Sequence, residues 1–190
     1  MLGGNLNQVI DQVSKEKSID RRILVEALEQ GILSAAKKTF GHNRELEATF
    51  NEEVGLVELM LYMVVVEDDA VVNGERELPH SVAQQVDAEA QVGDELGFQI
   101  FYLDKDRAAA EAEDERYGNV LNIATARQQF GRIAAMTAKQ VIMQRVRDAE
   151  RDVVFNEYKD RRGELVTGIT RRFERGNVIV DLGRAEAVLP

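Results

Sequence analysis

The sequence predicts an α+β protein: two helices, a small mixed α/β segment, one long helix and a short β tail. Three observations carry that reading. Apolar residues recur at the 3.6-residue helical spacing before residue 40 and again from about residue 130. Between residues 45 and 66 the period drops to two. After Gly163, short β-branched runs alternate with turn residues.

The first helix places Leu6, Val9, Ile10 and Val13 on one face. Asp20 suits an N-cap, because its carboxylate can accept an orphan N–H, and Ile23, Leu24, Ala27, Leu28, Ile32 and Ala35 then form the apolar stripe of a second helix. Lys37 and Lys38 fall in its last turn, and Gly41 stops it. Leu46, Ala48 and Phe50 alternate in "ELEATF", "NEEVG" turns, and "LVELMLYMVVVED" predicts a long, mostly buried strand. Asn73-Gly74 is a hairpin-turn dipeptide. Pro79 opens a short helix through "SVAQQVDAEA", and Gly93-Asp94 turns into the strand "LGFQIFY".

Residues 104–118 are acidic and Ala-rich, and read as a solvated helix or a loose insertion. Asp104 and Asp106 have the spacing that opens a calcium loop, but Ala108 and Ala109 stand where the next ligand and the glycine belong. No metal site is predicted there. Thr125 with Gln128 fits a capping box, so a long helix is expected from there or from Phe130 to about Lys159. Ala135, Ala138, Ile142, Ala149 and Val153, widened by Val141 and Val146, mark its packed stripe. Lys139, Gln140, Gln144, Arg147 and Arg151 cluster on another side. Gly163 closes the helical text, and "ELVTGIT", "VIVDLGR" and "AEAVLP" read as three short strands, the first two joined by the turn "ERGN".

Composition limits the function classes. With 190 residues, 44% hydrophobic and 31% charged, the chain has the make-up of a soluble globular protein. Its longest apolar run, Leu59 to Val66, is strand-length and well short of the roughly 18 residues of a membrane span. The first twenty residues lack an apolar signal core, and there is no cysteine for disulfides or thiolate sites, which makes a cytoplasmic address the default expectation. His42 and His80 have no companions at ligand or triad spacing, and no nucleotide-binding glycine pattern or G-x-S-x-G occurs. No enzyme activity, cofactor or metal is expected.

Charge is unevenly distributed. Residues 1–126 hold 11 Lys and Arg against 25 Asp and Glu, whereas residues 127–190 hold 13 against 9. The acidic part repels nucleic acid, and the basic third can approach a phosphate backbone. Two readings compete for the cations of the long helix. Arg147 with Glu150, and Arg145 or Arg151 with Asp148 and Asp152, would make a solvated ion-paired face worth a few tenths of a kcal/mol per pair. Arg132 and Lys139, however, have no acid three or four residues away. Lys37 and Lys38 complement a helix dipole as readily as they serve a partner.

The stretch "FGRIAAMTAKQVIMQRVRDAERDVVFNEYKDRRGELVTGITRRFERGNVIVDLGRAEAVLP" closely resembles the bacterial NusA family of transcription elongation and termination factors. It matches the last long helix of that family's N-terminal domain and the start of its S1 module. "NLNQVIDQVSKEKSIDRRILVEALEQGILSAAKKTFG" resembles the opening helix pair, and "EVGLVELMLYMVVVED" the strand region. The resemblance implies a helical body with a small mixed α/β head and a long C-terminal helix (residues 1–160), followed by an incomplete S1/OB-type β segment (residues 161–190). It further implies docking on core RNA polymerase near the RNA exit channel at the β flap, contact with nascent RNA, and modulation of pausing, termination and antitermination. Other elongation factors are expected as partners, and a membrane is not. Carried onto this chain, the RNA- and polymerase-facing basic surface falls on Lys37, Lys38, Arg132, Lys139, Arg145, Arg147 and Arg151.

Two departures stand out. The acidic segment makes the region before "FGRIAA" longer than is usual in the family, and the chain reaches Pro190 only three strands into S1, whereas an OB-type barrel has five. The alternative is a stand-alone S1-type RNA-binding module, which would need a closed barrel. An RNA-processing enzyme is a third reading and would need turnover.

Overall fold

The structure, a computed structural model, describes residues 6–53, 55–100, 112, 117, 118, 121, 124–183 and 185–190. The acidic stretch expected at 104–118 therefore lies outside the described residues, apart from 112, 117 and 118. The chain divides into two compact units, Met1–Gln144 and Arg145–Pro190.

In the first unit, α1 (Leu6–Lys17) and α2 (Arg21–Phe40) form where the apolar spacing places them. Asp20 caps α2 by accepting the Arg22 N–H at 2.9 Å, and this backbone hydrogen bond holds its carboxyl below the usual range. α2 buries Leu24, Ala27, Leu28, Ile32, Ala36 and Phe40. Ile23 is 48% exposed and Ala35 only half-buried, so the buried face lies further round the helix than the expected stripe. Gly41 ends α2 at φ 124°, donating its N–H to the Lys37 carbonyl.

Four strands follow: β1 (Glu45–Asn51), β2 (Leu56–Val66), β3 (Glu77–Pro79) and β4 (Glu95–Gln99). β2 is the centre of the sheet. It runs antiparallel to β1, with Glu45 opposite Tyr62, and antiparallel to β4, with Tyr62 opposite Gly97. The expectation of a mostly buried β2 is corrected. Val57, Leu59, Leu61, Met63 and Val65 are buried, but Met60 and Tyr62 are half-exposed and Val64 is 42% exposed. α2 packs against β1 and β2 on one face only, so the antiparallel pairs alternate between core and solvent.

Asn73-Gly74 does turn the chain, but not into a hairpin. The Asn73 carbonyl accepts the N–H groups of Arg76 and Glu77, and β3 then pairs parallel to β2, with Val64 beside Glu77. A hairpin would need antiparallel partners. From Pro79, α3 (His80–Val86) ends short of the expected Ala90, because the Asp87 carboxylate accepts the Glu89 N–H and holds a turn there. Gly93, at φ 96°, supplies the turn into β4.

α1 is clasped to the β1–β2 turn by Arg21. Its guanidinium donates to Asp11 at 3.1 Å, Glu52 at 2.6 Å and Asn7 Oδ1 at 2.8 Å, and it lies 5.8 Å over the Phe50 ring. Each exposed pair is weak alone, but one side chain here joins three partners and a ring. Arg21→Ala is expected to cost about 1 kcal/mol, read as a lower urea midpoint at unchanged slope; an unchanged midpoint would show the clasp to be ornamental.

The last helix, α4, spans Ala124–Tyr158. Ala124 is already helical, so Thr125 sits inside the helix rather than capping it. Within the first unit, α4 buries Phe130, Ala134, Ala138 and Ile142. The Phe130 ring lies 5.1 Å from that of Phe40, and a Cβ placed on Gly31 would stand 2.6 Å from Val141 Cγ2. These two contacts make α2 and α4 antiparallel neighbours, with the missing side chain of Gly31 as the point of closest approach.

The second unit takes α4 from Arg145 onward. Contrary to the expected stripe, Val153 is 55% exposed there. Three antiparallel strands follow in a meander: β5 (Ile169–Glu174), β6 (Asn177–Asp181) and β7 (Glu186–Leu189). β5 starts at Ile169 rather than at Glu164. A Cβ on Gly168 would fall 2.7 Å from the Asp181 carbonyl oxygen, so the chain slides against β6 before pairing begins. Ile179 is buried, whereas Ile169 and Phe173 are more than 70% exposed.

Candidate functional site

The cations expected to matter fall into a group in each unit. In the first, Arg132 and Lys139 are both exposed on α4. Their seven-residue spacing is two helical turns, which puts both side chains on one face about 10.5 Å apart along the axis. Among the described residues, no carboxylate lies within ion-pair distance of either. Met136, 73% exposed, and Met143, 46% exposed, share that face.

Lys37 is half-buried and Lys38 exposed in the last turn of α2. The Phe40–Phe130 contact brings that end of α2 beside the part of α4 that bears Arg132. Cations from two segments distant in sequence, Lys37 with Lys38 and Arg132, thus lie toward one end of the unit, and Lys139 follows Arg132 along α4.

Arg44 is a cation that the sequence did not single out. Its guanidinium is half-buried near the same end, where Nη2 donates to the Leu121 carbonyl at 3.3 Å, and Nε is buried without a partner among the described residues. Burial lowers its pKa, against the opposing pull of Glu75. No sequence signal marks it, because an isolated arginine before a strand reads as a surface residue until its burial is known.

In the second unit, Arg147 and Arg151 are exposed and Arg145 is half-buried. Of the expected pairs, Arg151 meets Asp148 at 3.2 Å, whereas no described carboxylate pairs with Arg147. The Arg151 side chain is 72% exposed, so its pair contributes at most about 1 kcal/mol and yields readily to a phosphate.

Solvated, flexible cations spaced by helical turns neutralise a phosphate backbone without reading bases. Among the described residues there is no group of three His, Cys, Asp or Glu side chains placed to hold a metal, and no helix long and apolar enough to cross a membrane.

Comparison with known proteins bears on the same residues. Residues 5–115 and 107–152 match the family described as the NusA N-terminal domain. A transcription termination/antitermination protein NusA from Rickettsia conorii (strain ATCC VR-613 / Malish 7) is 33% identical over 182 residues, covering 96% of this chain and 31% of the relative. The protein of the same description from Bacillus subtilis (strain 168) is 33% identical over 189 residues, covering 100% of this chain and 44% of the relative. The chain thus spans about a third to under half the length of these relatives. The solution structure of the N-terminal domain of NusA from B. subtilis superposes with a TM-score of 0.51 at 32% identity, covering 77% of this chain and 96% of that one.

Proposed function

The chain belongs to the NusA N-terminal domain family, and from that membership we propose that it is the polymerase-binding part of a transcription termination and antitermination factor. It docks on RNA polymerase near the RNA exit channel, at the β flap, and modulates pausing. It is a binding module and not an enzyme. The observation that carries the reading beyond family membership is the pair Arg132 and Lys139, exposed on one face of α4 with no described acid to occupy them. Lys37 and Lys38 extend that face at the end of α2, and Arg145, Arg147 and Arg151 form a further basic group on the later turns of α4. Emerging RNA meets these cations through its phosphates, so binding is tolerant of sequence and sensitive to salt.

In module terms, residues 1–160 form the polymerase-binding domain and residues 161–190 the beginning of an S1 domain. The described arginines of β5 support this division of labour: Arg171 pairs with Asp181, and Arg172 with Glu174 and Glu186, whereas Arg132, Lys139 and Arg147 of α4 meet no described carboxylate.

The test is retention of core RNA polymerase on the immobilised chain, together with pause lifetime at a hairpin-stabilised site. Micromolar retention and a lengthened pause are expected. Equal retention by polymerase lacking the β flap tip would overturn the docking site, and no retention of any polymerase would overturn the function.

A further inference from the structure

We propose that the solvent face of the four-stranded sheet is a second docking surface, built for an amphipathic protein helix whose apolar stripe is bordered by Lys or Arg. On β2, Met60, Tyr62 and Val64 point to solvent, opposite the face that α2 covers. They form an apolar and aromatic ridge. The strand registers place carboxylates around it: Glu47 opposite Met60, Glu45 opposite Tyr62, Glu95 and Glu77 beside Val64, with Glu58 further along β2 on the same face.

The ridge is held in place. Tyr62 donates a hydrogen bond to Glu47, and this bond, with burial of the ring, raises the tyrosine pKa. Gly97 across the strand pair leaves room for the ring: a Cβ there would stand 3.0 Å from Tyr62 Cε1 and 3.4 Å from Met60 Cε. The sheet is therefore shaped for Tyr62 to lie over β4, presenting its outer surface.

Charge selects the occupant. Arg76 neutralises Glu45 at 2.7 Å, but among the described residues no cation pairs with Glu47, Glu58, Glu77 or Glu95. Such a face repels nucleic acid and attracts cations, while Met60, Tyr62 and Val64 reward apolar contact. Width selects the shape. With strands about 4.8 Å apart, Glu47 on β1 and Glu95 on β4 flank the ridge with about 10 Å between their strands. That is close to the diameter of an α-helix, about 10–12 Å. A helix laid along β2 would seat its apolar stripe on the ridge with one cation over Glu47 and another over Glu95.

The inference rests on the sheet alone and does not depend on polymerase binding by the α4 cations. Its test uses the whole chain in ¹⁵N NMR titration with three synthetic peptides: a helical one with a Leu stripe bordered by Lys, one with Ser replacing Leu, and one with Glu replacing Lys. An oligouridylate serves as a fourth probe. The Leu/Lys peptide is expected to shift amides of β1, β2 and β4, and the Ser and Glu versions to bind about tenfold more weakly or worse. Glu47→Lys with Glu95→Lys should lower its affinity by a similar factor, and so should Tyr62→Ser, which removes the apolar ridge and gives a second measurement if the reversal unfolds the sheet. Shifts confined to other elements, equal binding by the variants, oligouridylate shifting the same amides, or light scattering that shows this face buried in a dimer would each overturn the proposal. Retention of polymerase without peptide docking would sink this proposal and spare the function above; the reverse pattern would do the opposite.

Discussion

Reversing Arg132 and Lys139 together to glutamate is expected to lower affinity for single-stranded RNA, and for polymerase carrying a nascent transcript, by about tenfold to a hundredfold at low salt. The reasoning is electrostatic. Two exposed cations on one α4 face become two anions facing the same phosphates, so an attraction is replaced by a repulsion. The slope of log affinity against log salt should also fall by about two, since each lysine or arginine on a phosphate contributes about one. Stability should move by no more than about 0.5 kcal/mol per site, because both side chains are exposed and neither meets a described acid. Unchanged RNA affinity and salt slope would remove both residues from the RNA surface, and a large fall in thermal midpoint with pausing intact would assign them to folding. The milder Arg132→Ala with Lys139→Ala should weaken pausing in the same direction.

The largest stability change is expected at Gly31. An alanine Cβ there would come within 2.6 Å of Val141 Cγ2 and 3.5 Å of Thr137 Cγ2. Alanine gains about 1 kcal/mol of helix propensity over glycine but must push α4 away or force Val141 to turn. Gly31→Leu gains the same propensity against a far larger intrusion, and its net cost is expected to be about 3 kcal/mol by urea denaturation. Combining Gly31→Ala with Val141→Ala should restore part of what Gly31→Ala loses, a coupling that a double-mutant cycle reads directly. Wild-type stability in Gly31→Leu would show that α2 and α4 do not meet there. Polymerase binding supplies a second readout, because the same contact positions the helix on which Arg132 and Lys139 are mounted.

The local rules in the sequence were legible. Asp20 caps, Gly41 stops and β1 alternates because each depends on a few adjacent residues. Sequence and structure part where a distant partner decides. Asn73-Gly74 has hairpin chemistry, yet β3 joins β2 in parallel, and no local signal states which edge a strand will take. β2 reads as a mostly buried strand, but with α2 on one face only, Met60, Tyr62 and Val64 are left outside. On α4, Ala138 and Ile142 of the expected stripe lie in the core, whereas Val153 of that stripe is exposed and Phe130 and Ala134, outside it, are buried. The small residues of that helix satisfy several stripes at once, and the aromatic contact with Phe40 chooses among them. The exposed face bearing Lys139 was legible for the complementary reason, since Lys139, Gln140 and Gln144 suit only solvent. Arg44 was not legible, because its burial and its bond to the Leu121 carbonyl join positions remote in sequence.

The pairing of Phe40 with Phe130 also sets a timetable for the ribosome. Their positions differ by 90 residues, so α2 leaves the ribosome long before the helix that covers its second face has been made. At bacterial synthesis rates of about 5–20 residues per second, that interval lasts about 5 to 20 seconds. The sheet strands arrive meanwhile and cover the other face, but Phe40 and the groove at Gly31 stay open to the cytosol of the producing cell. A nascent chain stalled before residue 130 should therefore be held by chaperones that bind exposed apolar surface, and one stalled well beyond residue 144 should be released from them.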